Sequence, residues 1–178
     1  MLTANIANAN NKIIDDRSSG DLRSNLGITW RVVSDAVMGG VSAGQLEVTV
    51  AAGRSCLRLT GDVRLENNGG FVQASLDLDA LDFLDASAYT GFELDVLGND
   101  EMYNLHVRTA DTRIVWQSYR ASFRATPCWQ VVRLPFVEIM PHRIDTPLDL
   151  GRLKRIGLVA IGRAFKADLC VGRVALYR

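Results

Sequence analysis

Histidine and cysteine are scarce in this sequence of 178 residues, which has two histidines and three cysteines. Cys56, Cys128 and Cys170 are far apart and lack the paired spacing of a zinc site or a redox motif, so we expect buried free thiols in a reducing compartment. His106 and His142 accompany no nucleophile elbow, no H-E-x-x-H motif and no glycine loop that would cradle a phosphate before a helix. The sequence therefore predicts no metal site, no cofactor and no catalytic residue.

The sequence also lacks an excess charge and a long apolar run. Twenty Lys and Arg residues balance 20 Asp and Glu residues, so the net charge does not favour nucleic acid or an anionic membrane surface. No stretch approaches the roughly 20 apolar residues of a membrane helix, and the N terminus resembles neither a signal peptide nor a transit peptide. We therefore expect a cytoplasmic protein that does not bind nucleic acid or insert into a membrane.

Long helical periodicity is missing as well, and a two-residue alternation of apolar and polar side chains takes its place. The alternation is clear at 46–50, 56–60 and 92–96, and it continues to the C terminus. About eight to ten short strands in one domain are typical of an all-β, antiparallel β-sandwich or jelly roll. We expect residues 1–12 to form a flexible N-terminal tail and residues 13–178 to form a single domain.

Two glycine-containing loops form the first candidate site. The stretch SDAVMGGVS contributes Asp35, Met38, Gly39, Gly40 and Ser42, and the stretch ENNGGF contributes Glu66, Asn67, Asn68, Gly69, Gly70 and Phe71. The glycines predict backbone with φ above zero, or a close approach of two loops or of a ligand. In one interpretation the loops pack on each other and Met38 and Phe71 lie in the core. Asp35, and Asn67 or Asn68, would then form hydrogen bonds with loop amides.

A binding role for the same loops is the other interpretation, because binding residues often lie on loops of a rigid scaffold. Their carboxylate and amide oxygens would also suit a calcium ion. No run resembles an EF-hand loop, however, so we do not predict a metal there.

The second candidate site is an outward-facing groove on the middle strands. Alternation places these side chains on one face: Glu93, Asp95, His106, Arg108, Trp116, Ser118 and Arg120. A tryptophan plane among charged groups is typical of a site that binds a sugar ring or an apolar peptide side chain. A solvated face with cross-strand ion pairs is the alternative. Glu93 and Asp95 would also serve as an acid and a base, although such a pair more often forms a hydrated face.

Several segments in a fixed order resemble one known family. Trp30 and Asp35 come first, the two glycine loops follow, and these segments complete the order: DASAYTGFELDVLGND, YRASFRA, WQVVRLPF, RIGLVAIG and FKADLCVGRVALY. From about residue 13 to its end, the chain resembles the complex I intermediate-associated protein family, of the thirty-kilodalton class. It departs from that family at 72–75 and 99–102, where relatives tend to carry arginine.

The resemblance implies a jelly roll of the galactose-binding-like type, related in shape to carbohydrate-binding modules. The best-known relatives help to assemble membrane-arm intermediates of respiratory complex I, and none is an established enzyme. We therefore predict a non-enzymatic binding module that acts as an assembly factor or chaperone-like partner of a respiratory membrane-protein complex.

Binding of carbohydrate or of another small ligand is the alternative to a protein partner, and a small-molecule enzyme is the third hypothesis. Sugar-binding modules usually serve secreted hydrolases, and this sequence shows neither a signal peptide nor a joined catalytic domain. That difference favours the protein partner.

Overall fold

Two antiparallel β-sheets make up this computed structural model, which describes residues 10–80 and 82–178. The strands are β1 (Lys12–Asp15), β2 (Arg31–Ser34), β3 (Ala43–Ala51), β4 (Arg54–Val63), β5 (Phe71–Asp77), β6 (Gly91–Gly98), β7 (Glu101–Thr109), β8 (Ser118–Ala125), β9 (Gln130–Pro135), β10 (Met140–His142), β11 (Leu153–Ile161) and β12 (Phe165–Tyr177). Sheet 1 has the order β3-β4-β12-β6-β9, with β1 also paired to β12, and sheet 2 has the order β10-β8-β7-β11-β5-β2. The predicted antiparallel sandwich is confirmed.

Alternate side chains of the strands fill the space between the sheets. In β7, Tyr103, Leu105 and Val107 are fully buried, whereas Asn104 and His106 between them face outward. This alternation follows from the pleat of a strand, which turns successive side chains to opposite faces. The sequence periodicity therefore identified which residues form the core, although it did not reveal which strands are neighbours.

Helical structure within the described residues consists of short 3₁₀ turns. They span Asp35–Met38, Glu66–Asn68 and Phe136–Glu138. None of the helices in this part of the chain is both long and apolar enough to cross a membrane.

The N-terminal segment is tied to the sandwich by strand pairing and by a hydrogen bond from a buried tryptophan. Lys12 lies opposite Leu176 in the β1–β12 pair. The buried Asp15 carboxylate accepts hydrogen bonds from Arg17 and from Nε1 of Trp30, the latter at 2.5 Å. Residues 1–9 of the predicted tail lie outside the described residues, and the domain boundary at residue 13 stays a prediction.

The sandwich has two ends, marked by the two ends of β6. Gly98 lies at the end that carries both glycine loops, where the amide of Gly162 donates to the carbonyl of Gly70 at 3.1 Å. At the opposite end, the amide of Phe136 donates to the carbonyl of Thr90 at 2.9 Å. We call these the glycine-loop end and the far end.

The three cysteines are free thiols, but they differ in exposure. Cys56 and Cys170 are buried, on β4 and β12 of sheet 1. Cys128 is exposed, so the expectation that all three are buried is wrong there. It lies in the connection between β8 and β9.

Candidate functional site

A buried carboxylate joins the two glycine loops. Asp35 is fully buried, and its oxygens accept hydrogen bonds from the amide of Ser42 at 2.9 Å and from the hydroxyl of Ser42 at 2.5 Å. The amides of Gly70 and Phe71, in the second loop, also donate to it. Burial raises the pKa of Asp35, but the hydrogen bonds from Ser42, Gly70 and Phe71 outweigh it, and the pKa lies below its ordinary value.

The four loop glycines are required for two different reasons. Gly39 and Gly70 have φ values of 83° and 132°, which side chains rarely adopt. Gly40 and Gly69 lie outside that region, but a Cβ on either one would stand 2.4 Å from an atom of the Asp35 side chain. The prediction of positive φ therefore holds for two positions, whereas the predicted close approach explains the other two.

Four apolar side chains of the two loops are exposed. Val37 is 73% exposed and Met38 is 55% exposed, so the placement of Met38 in the core is wrong. Asp35 is the buried member of that 3₁₀ turn, and the turn directs the following side chains to solvent. Val41 on the same loop and Leu65 on the second loop are exposed as well. We call Val37, Met38, Val41 and Leu65 the apolar tip.

The remaining loop residues hold the tip together. Asn67 donates from Nδ2 to the carbonyl of Gly39 at 3.1 Å, which links the two loops directly. Asn67 and Asn68 both adopt left-handed backbone, with φ of 59° and 57°. Glu66 is exposed and forms an ion pair with Arg64. Phe71 is half-buried at the start of β5. A binding role for these residues stays a prediction.

A groove crosses the outer face of sheet 2 and contains part of the second candidate site. His106 on β7 lies opposite Arg120 on β8 and opposite Gly157 on β11, and Arg108 lies opposite Arg155. The groove has a volume of about 80 Å³. His106, Arg108, Ser118 and Arg120 line it together, as the alternation predicts.

Trp116 does not line this groove. The sequence places it in a strand from residue 114, but β8 begins at Ser118. Residues 114–117 form a turn in which the amide of Gln117 donates to the carbonyl of Ile114 at 3.0 Å. Trp116 is 52% exposed, as predicted for an outward side chain, but it lies in this turn, so its placement on the face of a strand is wrong.

Glu93 and Asp95 lie on sheet 1, away from His106 and Arg108. The predicted shared face is wrong because the chain passes from one sheet to the other between β6 and β7. Glu93 is bonded to Arg133 at 2.8 Å and to Arg173 at 2.6 Å. Burial raises the pKa of Glu93, but these two arginines outweigh it and hold the pKa below its ordinary value. A carboxylate held in this way is poorly suited to act as a general acid.

The groove is electropositive. Arg120 donates from Nε to Ser118 at 2.8 Å, and Arg108 donates to the carbonyl of Ile114 at 3.2 Å. The Nε2 atom of His106 is buried and has no hydrogen-bond partner among the described residues. Burial, together with Arg120 and His142, lowers the pKa of His106 to about 3, so this imidazole is neutral near pH 7.

Sequence reasoning missed several residues of the groove. Gln73 on β5 and both Arg155 and Gly157 on β11 also line it. Alternation marks each of them as facing outward, but the order β8-β7-β11-β5 is set by long-range pairing. Within the described chain, there is no cluster of three or more His, Cys, Asp or Glu side chains suited to a metal ion.

Residues 21–171 match the model of one protein family, described as complex I intermediate-associated protein 30 (CIA30). The chain belongs to this family. The match covers both glycine loops and every strand that lines the groove. No curated protein matches this CIA30 domain.

Solved structures confirm the type of fold of the CIA30 domain. It is similar to the family 11 carbohydrate-binding module of the cellulosomal cellulase Lic26A-Cel5E of Clostridium thermocellum, with a TM-score of 0.72, 14% identity and 94% of each chain covered. It is also similar to the family 30 module of Cel9D-Cel44B of Clostridium thermocellum, with a TM-score of 0.56, 18% identity, and 74% of this chain and 81% of that chain covered. These likenesses establish a jelly roll of the galactose-binding-like type. At such low identities they do not indicate which ligand this chain binds.

Proposed function

We propose that this CIA30 domain is a non-enzymatic binding module, and that its apolar tip binds a protein partner. The family description points to a partner among the assembly intermediates of a respiratory membrane-protein complex. One observation carries the proposal, namely the exposed side chains of Val37 and Met38 on loops held by a buried carboxylate.

The apolar tip suits protein binding because its backbone is already ordered. Asp35 bonds both loops, and Asn67 links them a second time. Binding of a partner would therefore cost little conformational entropy, because the loops are ordered beforehand. Apolar side chains exposed together on such a scaffold mark interaction sites, and methionine adapts its shape to the partner.

The chemistry of the second candidate site supports binding over catalysis. Glu93 is engaged by two arginines, and neutral His106 has only arginine and histidine among the charged groups that shift its pKa. A general base of the usual kind is oriented by a carboxylate. A cytoplasmic location is part of the proposal, because free thiols persist in a reducing compartment.

Carbohydrate binding has less support than a protein partner. No Phe, Tyr or Trp is among the described residues that line the groove. A shallow depression of about 570 Å³ near the glycine-loop end also has no aromatic side chain among its described lining residues. Small and polar residues from β3, β4 and β12 line it. Sugar rings bind most strongly to exposed aromatic planes.

The experiment is a pull-down from the native host with the wild-type chain and a V37S/M38S double variant, followed by mass spectrometry. The matched control is V137S, because Val137 is also a valine in a 3₁₀ turn, is 87% exposed, and lies at the far end. We expect the double variant to recover at least about tenfold less of the assembly subunits, as for loss of an interface anchor, and V137S to recover as much as wild type. All three must show the same thermal unfolding midpoint.

Equal recovery by the double variant and the control would contradict the role of the apolar tip. If the pull-down recovers no partner and the chain binds specifically on a glycan array, the ligand is a carbohydrate and not a protein.

A further inference from the structure

Arginines without acidic partners gather in the groove of sheet 2. Most other arginines of the described chain form ion pairs, as Arg58 does with Asp168 at 2.7 Å. Among the described residues, neither Arg108 nor Arg120 pairs with a carboxylate, and each is half-buried. Arg155 shares Asp77 with Arg31, at 2.6 Å and 3.5 Å.

This accumulation of positive charge is unfavourable without a counter-ion. Burial lowers the pKa of Arg108, and the nearby Arg155 lowers it further. Burial and the nearby Arg143 lower the pKa of Arg120. Partly desolvated cations that repel one another cost free energy, and a bound anion would offset that cost.

Neutral hydrogen-bonding groups converge on the same place. The Nε2 atom of His106 is buried without a partner among the described residues, and Ser118 also lines the groove. Gly157 lets the side-chain amide of Gln73 lie against the floor of the groove, since a Cβ there would stand 2.4 Å from Oε1 of Gln73. A buried polar atom without a partner is costly, so its presence in a cationic groove indicates a ligand group that bonds to it.

We propose that this groove binds a tetrahedral phosphate group, either free phosphate or the terminal phosphate of a small molecule. Two unpaired arginines supply the charge, and His106, Gln73 and Ser118 supply further hydrogen-bonding groups. Groups from four neighbouring strands of one sheet line the groove, and several donors suit an anion with three or four oxygens better than a planar carboxylate with two. The volume of about 80 Å³ is sufficient for one such group.

The phosphate site is independent of the apolar tip. Arg108 and Ser118 lie toward the far end, at the ends of β7 and β8, whereas the tip lies at the glycine-loop end. We therefore expect the loss of one site to leave the other intact.

The test is calorimetric titration of the full chain with inorganic phosphate, glycerol 3-phosphate and acetate at pH 7 and constant ionic strength. We expect saturable binding of a phosphate, and at least about tenfold weaker binding by R108Q and by R120Q, because each loses charge-assisted hydrogen bonds. The matched control is R124Q, since Arg124 is on the same strand but is exposed and paired with Asp100 at 2.9 Å. We expect its affinity to stay within about twofold of wild type.

A second variant keeps the test valid if an arginine variant unfolds. G157A adds a methyl group to the groove floor, where the nearest atom is the mobile end of Gln73, so the chain still folds. We expect it to weaken phosphate binding and to leave the thermal midpoint nearly unchanged. The ¹⁵N resonance of His106 Nε2 should shift when phosphate is added to the wild type.

Tighter binding of inorganic phosphate would identify the free ion, and tighter binding of glycerol 3-phosphate would identify a group carried by a small molecule; both support the site. Absence of saturable binding, equal affinity for acetate, or an equal loss in R124Q would overturn it.

Discussion

Asp35 is the residue on which both glycine loops depend. Its carboxylate accepts from Ser42, Gly70 and Phe71, and it is fully buried. We expect D35N to lower the free energy of unfolding by about 3 kcal/mol, because an amide group would face backbone donors and leave them unsatisfied. Urea denaturation measures this, with E66Q as the exposed control, expected to change stability by less than about 0.5 kcal/mol.

The pH dependence of the Asp35 contribution has a definite sign. Its pKa is lowered in the folded chain, so its stabilisation is present above the pKa of the unfolded chain and is lost as the pH falls through the folded value. A D35N chain as stable as wild type at pH 7 would show that the carboxylate is not what holds the loops.

His106 provides a second prediction at the scale of one residue. Its folded pKa is lowered to about 3, so the unfolded chain takes up a proton below about pH 6.5 while the folded chain does not. The stability associated with the neutral imidazole is complete above pH 6.5. It declines as the pH falls toward 3, with a slope approaching about 1.4 kcal/mol per pH unit.

The measurement is an NMR titration of both imidazoles, combined with urea unfolding at several pH values. His106 should remain neutral at pH 5, and H106Q should show a flatter decline of stability with acid. A His106 that titrates near 6.5 would mean that its ring is solvated, and the groove would then differ from its description.

At the scale of elements, the start of β8 decides the role of Trp116. The turn before Ser118 places this side chain at the surface, whereas Trp30 is fully buried and donates to Asp15. We expect W116A to lower the free energy of unfolding by no more than about 1 kcal/mol and W30F to lower it by at least about 2 kcal/mol. Equilibrium denaturation compares the two, and a larger loss in W116A would place Trp116 in the core.

The element scale also explains how far sequence reasoning reached. Alternation along β7 and β8 correctly put His106, Arg108 and Arg120 on one outer face. The same reasoning failed for Glu93, because a strand carries no local signal for the sheet that it joins. Side-chain period and strand order are separate properties, and long-range contacts determine the second.

At the scale of the whole molecule, packing decides which thiols react. Cys128 is exposed, whereas Cys56 and Cys170 are buried. We therefore expect a thiol reagent to modify one cysteine rapidly in the folded chain and the other two only after denaturation, since reaction requires access of the reagent to a thiolate. The absorbance change on reaction with a chromogenic disulfide reagent counts the reactive thiols before and after denaturation. A disulfide between any two cysteines would contradict both this pattern and the proposed cytoplasmic location.

The sequence by itself determined the class of fold, the two glycine loops and the family, because alternation reports which side chains reach a core and glycine reports where a Cβ does not fit. Only the tertiary structure decided that Asp35 is the buried partner of those glycines, that Met38 faces solvent, and that Gln73, Arg155 and Gly157 join His106 in the groove. The physical reason is that these relations connect residues on separate strands and loops, and such contacts form only when the two sheets pack together.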